Sequence, residues 1–187
     1  MQTATDAAVV YTVGHSTRSL AELVGLLEPP GVRELADVRS VPRSRRHPQF
    51  DAMALARALP ERGIAYTHER ALGGFRRPQR GSRHRGWEHE GFRGYADHMA
   101  SEEFRSALGR LQLRAGDHTV CVMCAEAQWW RCHRRLLADA LLVAGFQVLH
   151  LGLAGEPVAH QLTPFALVGA DGTLTYPAPQ VELELEA

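Results

Sequence analysis

Thr119-Val120-Cys121-Val122-Met123-Cys124 is a short run of β-branched and apolar residues that lies between His118 and the polar Glu126. A run of this length that is apolar throughout predicts a strand buried on both faces, which is typical of a parallel sheet. Because side chains alternate along a strand, Cys121 and Cys124 are expected on opposite faces, with Cys121 in the core. This strand therefore predicts a sheet that helices cover on both sides.

Further apolar runs and the helical patterns between them extend this sheet. Strands are predicted at residues 9–13, 34–38, 64–67 and 147–151. Helices are predicted from Ser19, which begins a capping box with Glu22, and at residues 51–62, 95–99, 101–114 and 131–144. The predicted fold class is α/β, with a single three-layer domain at residues 1–187. It has a mostly parallel five-stranded sheet flanked by helices, and a C-terminal β-hairpin at residues 165–176.

Composition limits the classes of protein to which the chain can belong. No apolar stretch approaches the roughly 20 residues of a membrane span, and residues 1–6 lack the pattern of a signal peptide. Three cysteines form no disulfide framework, which favours free thiols in a reducing compartment. A formal net charge of zero argues against non-specific coating of nucleic acid or membrane. We therefore expect a cytoplasmic protein with no membrane partner; the oligomeric state is not predicted.

The basic residues are unevenly distributed. All 21 are arginine, and 13 of them lie between Arg39 and Arg93, a stretch that contains five acidic residues. Within it, residues 73–94 are rich in glycine and arginine without periodicity, which predicts a loop that is either a lid or a disordered insert. Residues 178–187 are acidic and predict a frayed tail or an added strand in a dimer.

Side chains that can act as acids, bases, nucleophiles or anion ligands follow four of the predicted strands. They are His15 and Ser16, then Arg39, then His68 and Glu69, then Cys124 and Glu126. In open parallel sheets the carboxyl ends of the strands meet at one edge, and ligands bind there. The pattern therefore predicts a single site at this edge.

The segment from Cys124 to Arg134 is the centre of this predicted site. Cys124 is a candidate nucleophile because the next helix N-terminus and Arg131 would favour its thiolate. Glu126 and His133 are candidate acid–base groups. The alternative for Cys124 is a small buried apolar residue. Candidate contacts to an anionic substrate are His15, Ser16, Arg39, Arg43, Arg46, Trp130, Arg131 and Arg134.

Other residues near this segment allow more than one interpretation. Trp129 and Trp130 form either an aromatic wall that stacks a base or a plug over the sheet edge. Cys132 is assigned to packing. Because its spacing from Cys124 matches no zinc motif, a metal site with His133 and His15 is a weak alternative, and no cofactor is expected. Five histidines are predicted to lie at the surface and to have no functional role: His84, His89, His98, His118 and His160.

Several motifs together closely resemble the prokaryotic family known as domain of unknown function 488. They are residues 12–17, 37–45, 92–96, 123–126 and 130–134, and the likeness continues to residues 171–176. This resemblance implies that the motif residues form one site, but it implies no substrate. A second resemblance, to rhodanese-like and cysteine-phosphatase domains, rests on Asp37-Val38-Arg39 and on the order strand, Cys124, loop, arginine and helix. In those families five residues separate the cysteine from the arginine, whereas six separate Cys124 from Arg131.

Three functional hypotheses follow. The first is an enzyme that acts on an anionic, phosphate-bearing substrate such as a nucleotide or a nucleic acid end. The second is a non-catalytic module that binds nucleic acid or nucleotides. The third is a rhodanese-like thiol enzyme that transfers sulfur or a phosphoryl group through Cys124.

Overall fold

The structure is a computed structural model that describes residues 7–153 and 155–179, and it has a six-stranded sheet at its centre. The strands are β1 Val9–Gly14, β2 Glu34–Asp37, β3 Ala65–His68, β4 Val120–Cys124, β5 Gln147–His150 and β6 Val158–Ala159. Their order is β3-β2-β4-β1-β5-β6, and among the strands of the described residues only the β5–β6 pair of this sheet is antiparallel. The predicted α/β class with a mostly parallel sheet is confirmed. The sixth strand was not predicted, because two exposed residues show no periodicity.

Helices cover both faces of the sheet, as the sequence predicts. The helices are α1 Leu20–Leu27, α2 Ala52–Ala58, α3 Glu90–Met99, α4 Glu102–Asp117 and α5 Arg134–Val143. Alternation along β4 divides the core: Cys121 packs with the side chains of α1 and α2, whereas Cys124 packs with those of α3, α4 and α5. A small hairpin of β7 Leu167–Val168 and β8 Leu174–Thr175 follows the sheet. No helix in the described ranges is long and apolar enough to cross a membrane.

The starts of α1 and α4 were predicted correctly, but the start of α5 was not. The capping box of Ser19 and Glu22 is present, and Ser101 caps α4. The helix predicted at residues 131–144 instead begins at Arg134, because Trp129–Arg131 forms a 3-10 turn and Cys132 is extended. This difference decides which arginine faces the cysteines.

The arginine-rich segment is packed against the core. The predicted loop at residues 73–94 is irregular only as far as His89, since α3 already begins at Glu90. Trp87 is 5% exposed and makes edge contacts with the rings of Phe92 and Phe165. Burial of this large ring stabilises the segment's position. Of the predicted acidic tail, residues 180–187 lie outside the described residues.

The chain connections leave a crevice between β1 and β4. From β1 the chain passes through α1 to β2 on one side, whereas from β4 it passes through α5 to β5 on the other. The loops that leave β1 and β4 therefore diverge onto opposite faces of the sheet. Such a switch point is where open α/β sheets bind ligands.

Candidate functional site

The ends of β1 and β4 are joined closely enough to form one platform. Gly14 is in register with Cys124, and the main-chain N–H groups of His15 and Ser16 donate to the carbonyls of Cys124 and Ala125 at 2.9 and 3.0 Å. A Cβ on Gly14 would lie 1.8 Å from the Glu126 carbonyl oxygen, so only glycine allows this approach. Ser16 has a φ of 49°, a left-handed conformation that is uncommon for serine and typical of functional turns.

Two thiols and one guanidinium lie at the end of β4. The Cys124 and Cys132 sulfurs are 3.2 Å apart. The Nε–H of Arg134 donates to both of them, at 3.0 Å to Cys124 and 3.3 Å to Cys132. From the sequence, Cys132 was expected to serve in packing, and Arg131 was expected to contact Cys124. Cys132 does pack against the core, but its sulfur also pairs with Cys124, and Arg134 makes the contact.

Arg134 is a buried cation. It is 1% exposed, and its guanidinium also donates to the Thr12 hydroxyl at 3.3 Å and to the carbonyls of Glu126 and Ala127. Within residues 7–153 and 155–179, no carboxylate is paired with Arg134. A buried charge without an opposite charge is strongly unfavourable. A thiolate on the cysteine pair would provide the missing negative charge.

Hydrogen bonding decides which of the two sulfurs carries this charge. Cys132 accepts from the Nε–H of Arg134 and, at 3.4 Å, from the main-chain N–H of Arg134, the first residue of α5, and its sulfur is in hydrogen-bond contact with that of Cys124. Burial raises the pKa of Cys132, but the Cys124 hydrogen bond and the charge of Arg134 outweigh it and lower the pKa to about 6. Burial and the neighbouring Cys132 raise the pKa of Cys124 well above its usual value. These contacts favour the thiolate form at Cys132, with the Cys124 S–H as its donor.

Two adjoining clefts open at this edge of the sheet. The first, which we term the thiol cleft, has a volume of about 420 Å³ and is lined by Cys124, Cys132, Val41, Phe75, Phe92 and Arg131. The second, the arginine cleft, has a volume of about 390 Å³ and is lined by His15, Ser16, Arg43, Ser44, Arg46 and His47. Arg39 and Glu126 line both clefts. The structure thus brings ten of the eleven predicted site residues to the two clefts or to the thiol pair behind them; Trp130, the eleventh, lies in the adjacent 3-10 turn.

Arg39 is held by the protein itself. Its guanidinium is 7% exposed and forms an ion pair with Asp37, which is completely buried, and a hydrogen bond with the Phe50 carbonyl. Burial lowers the pKa of Arg39, but the hydrogen bonds and charge of Asp37 more than offset this and raise it. Because Asp37 balances its charge, Arg39 shapes the clefts more than it attracts an anion.

Arg43 and Arg46, in the loop that follows Arg39, differ from Arg39 in their exposure and in the balance of their charge. Both residues are exposed, and the loop is tied to α2 because the Ser44 N–H donates to the Asp51 carboxylate at 2.7 Å. Within the described ranges, neither guanidinium has a carboxylate partner. Their charge is therefore directed at the arginine cleft without being balanced, which suits an anionic ligand.

His15 and His133 are neutral. Burial lowers the pKa of each to about 4. The His133 Nε2 lies 3.1 Å from the Val38 carbonyl and the His15 Nδ1 lies 2.9 Å from the Ser16 carbonyl, so each of these nitrogens carries the proton. The acid–base role predicted for His133 therefore has less support than that of Glu126, whose exposed carboxylate lies at the mouth of both clefts.

The two tryptophans take different positions. Trp129 stacks on the His150 ring at 4.1 Å between centroids and closes the sheet edge as a plug. Trp130 is 40% exposed beside it. Of the two predicted alternatives, the plug therefore fits Trp129, and the exposed Trp130 is the residue to which the aromatic wall could apply.

A family model described as domain of unknown function DUF488 matches residues 19–141, more than half of the chain. The chain belongs to this family. The matched range contains Arg39, Cys124, Cys132 and Arg134. The match confirms the resemblance to the domain of unknown function 488 family that the sequence motifs predict. Comparison with curated proteins and with solved structures found no match.

Behind Arg134, this DUF488 protein contains a buried polar network that the sequence analysis missed. The Thr12 hydroxyl lies 2.7 Å from the Nδ1 of His150, whose Nε2 lies 3.1 Å from His160. His160 and the Tyr176 hydroxyl each contact the Asp139 carboxylate at 2.9 Å. Burial lowers the pKa of His150 to about 3. One signal was present in the sequence: Asp139 lies on the apolar face of α5, where a carboxylate requires a buried partner.

The surface role predicted for five histidines was wrong for two of them. His160 is 6% exposed and His84 is 5% exposed. Both are hidden because long-range contacts, to Asp139 and Tyr176 respectively, bury them. In the described part of the chain, no three His, Cys, Asp or Glu side chains are grouped as they would be to hold a metal.

Proposed function

We propose that this DUF488 protein is a thiol-dependent enzyme that acts on an anionic, phosphate-bearing substrate, with the Cys132 thiolate as its nucleophile. One observation carries this proposal: the buried Arg134 donates to both sulfurs and has no carboxylate partner among the described residues. Such an environment favours a thiolate at neutral pH. The thiolate lies in a cleft that adjoins exposed, unbalanced arginines.

The proposed reaction assigns a role to each group. The arginine cleft holds the anion through Arg43 and Arg46. The Cys132 sulfur attacks phosphorus, a sulfur–phosphorus bond forms, and the bond from phosphorus to the leaving oxygen breaks as Glu126 gives that oxygen a proton. Water then attacks the phosphorus, Glu126 takes its proton, and phosphate leaves. The Cys132 thiolate returns to the Cys124 S–H and Arg134.

Two small alkylating agents test the thiolate and the anion preference together. Iodoacetate is an anion and iodoacetamide is neutral, but both alkylate thiolates. We expect both agents to modify Cys132 with a pH midpoint of about 6, and inorganic phosphate to protect it. In the Arg43→Ala, Arg46→Ala double variant, the iodoacetate rate should fall about tenfold because electrostatic attraction is lost, while the iodoacetamide rate is retained.

Arg45→Ala is the matched control for this experiment. Arg45 lies between the two cleft arginines and is exposed, but it does not line the arginine cleft. Its replacement should leave the ratio of the two rates unchanged. A midpoint near the ordinary value of about 8.5, or equal rates with both agents in every variant, would overturn the proposal.

The transferred group is identified by the covalent adduct. After incubation with p-nitrophenyl phosphate and an acid quench, we expect a phosphorylated Cys132 peptide and released p-nitrophenol. Thiosulfate is the probe for the rhodanese-like alternative, because attack on its outer sulfur gives a Cys132 persulfide and releases sulfite. Cys132→Ser abolishes either adduct. If neither p-nitrophenyl phosphate nor thiosulfate gives an adduct on Cys132, the result argues against nucleophilic catalysis.

A second candidate function, binding of nucleic acid without catalysis, is favoured by one observation. Phe75 lines the thiol cleft and is 89% exposed, which makes its ring a possible stacking surface for a base. Anisotropy of a labelled single-stranded oligonucleotide would show binding that weakens steeply with salt. Phe75→Ala should weaken it, whereas Leu113→Ala, which removes a 74% exposed side chain from α4, should not. Affinity that does not change with salt would exclude this function.

A further inference from the structure

We infer that Cys124 and Cys132 form a reversible intramolecular disulfide when hydrogen peroxide oxidises the protein, with Cys132 as the oxidised residue and Cys124 as the resolving thiol. The disulfide rests on the geometry of the pair, whereas its effect on activity rests on the proposed function. In the proposed nucleophilic reaction Cys124 serves only as a hydrogen-bond donor to Cys132, a role that does not itself require a second sulfur.

The spacing of the two sulfurs supports this inference. They are 3.2 Å apart, in van der Waals contact, and the Arg134 Nε–H holds both of them. A disulfide bond is about 2.05 Å long, so closure needs a movement of about 1 Å. Cys132 lies between a 3-10 turn and α5, outside both, and rotation of the two cysteine side chains about their Cα–Cβ bonds can supply this movement.

The third cysteine cannot take part without unfolding. Cys121 is completely buried and packs on the opposite face of the sheet, with the side chains of α1 and α2. Burial raises the pKa of its thiol, so it remains protonated. Only one pair among the three free cysteines is therefore placed to react.

Access and charge assign the order of the two steps. Cys132 is half-buried and lines the thiol cleft, which is large enough for peroxide, whereas Cys124 is 2% exposed. The Cys132 thiolate attacks one peroxide oxygen, the O–O bond breaks, and hydroxide leaves, which gives a sulfenic acid. Cys124 then attacks that sulfur, the S–O bond breaks, and water leaves with the Cys124 proton. The cysteine pair has lost two electrons and the peroxide has gained them.

Oxidation would also change the charge around Arg134. A disulfide is neutral, so the buried guanidinium loses its only anionic neighbour among the described residues. The nucleophile disappears at the same time. Cys124 thus protects Cys132 from further, irreversible oxidation, and a dithiol reductant restores the site.

Thiol counting and peptide mass spectrometry test the inference. The reduced protein has three free thiols, and after treatment with hydrogen peroxide we expect one, since the disulfide removes two from three. Digestion should give the Cys124 and Cys132 peptides linked within one chain, and dithiothreitol should restore all three thiols. Cys121→Ser should still form the disulfide.

Variants of Cys124 test whether this residue resolves the Cys132 sulfenic acid, which is a separate question from whether Cys132 reacts with peroxide. In Cys124→Ser and in Cys124→Ala, the Cys132 sulfenic acid should persist long enough for capture by dimedone and should then oxidise to the sulfinic acid. Three free thiols after peroxide treatment of the wild-type protein, or sulfinic acid at Cys132 without a disulfide, would overturn the inference. If an aryl-phosphate adduct forms but the disulfide does not, only this inference fails. If the disulfide forms without any adduct, the proposed catalysis fails.

Discussion

Arg39 and Arg134 are two buried arginines at the same edge of the sheet, and their surroundings differ in one respect. Arg39 follows β2 and forms an ion pair with Asp37. Arg134 begins α5 and faces two sulfurs with no carboxylate partner among the described residues. The first pair is electrically complete and supports the fold. The second is complete only if a thiol ionises, so the same residue type has a structural role in one place and, under the proposed function, a chemical role in the other.

The largest expected effect comes from breaking the complete pair. Asp37→Ala leaves Arg39 buried without a partner and removes the acceptor of the Tyr66 hydroxyl. We expect the free energy of unfolding to fall by about 3–5 kcal/mol, as is typical when one partner of a buried ion pair is removed. Urea denaturation measures this.

The surface ion pair of Arg62 and Glu28 is the control for this measurement. Its side chains are 59% and 56% exposed, so Arg62→Ala should cost about 0–1 kcal/mol. An equally small loss for Asp37→Ala would show that the Arg39 charge does not depend on Asp37.

The next effect concerns the incomplete pair. The Cys132 pKa of about 6 lies below its ordinary value, so the thiolate is present above pH 6 and is lost as the pH falls through it. Arg134→Gln removes the cation and should raise the alkylation midpoint toward about 8.5; a complete shift would lower the thiolate fraction at pH 7 about thirtyfold. The pH profile of alkylation by iodoacetamide measures both. Arg131 is an exposed neighbour, and Arg131→Gln should leave the midpoint nearly unchanged. If Arg131→Gln raised the midpoint and Arg134→Gln did not, Arg131 would be the residue that stabilises the thiolate.

The smallest effect tests the platform on which Arg134 rests. A Cβ on Gly14 would displace the Glu126 carbonyl, which accepts a hydrogen bond from Arg134. Gly14→Ala should therefore lower the free energy of unfolding by about 1–3 kcal/mol. Gly25→Ala is the control, since no atom lies within 4 Å of the added methyl and alanine favours the helix. Equal denaturation midpoints for the two variants would rule out this close contact.

Much of the fold and part of the candidate site could be predicted from local patterns. The strand at residues 119–124, the capping box at Ser19 and the carboxyl-edge position of His15, Arg39 and Cys124 all follow from periodicity and the rules for parallel sheets. The start of α5 could not be predicted, because a 3-10 turn and a helix have similar patterns at their junction. A shift from residue 131 to residue 134 changed the arginine that contacts the thiols.

Sequence alone determined that this chain forms an α/β fold and predicted its candidate site residues at one edge of the sheet, because the strands and the residues that follow each of them are read from local patterns along the chain. Tertiary structure alone decided that Cys124 and Cys132 touch, that Asp37 balances Arg39, and that His150, His160 and Asp139 form a buried network. These depend on how turns and loops fold the chain back on itself and on the loss of water around the side chains. Burial decides which charges need partners, and no local pattern contains that information.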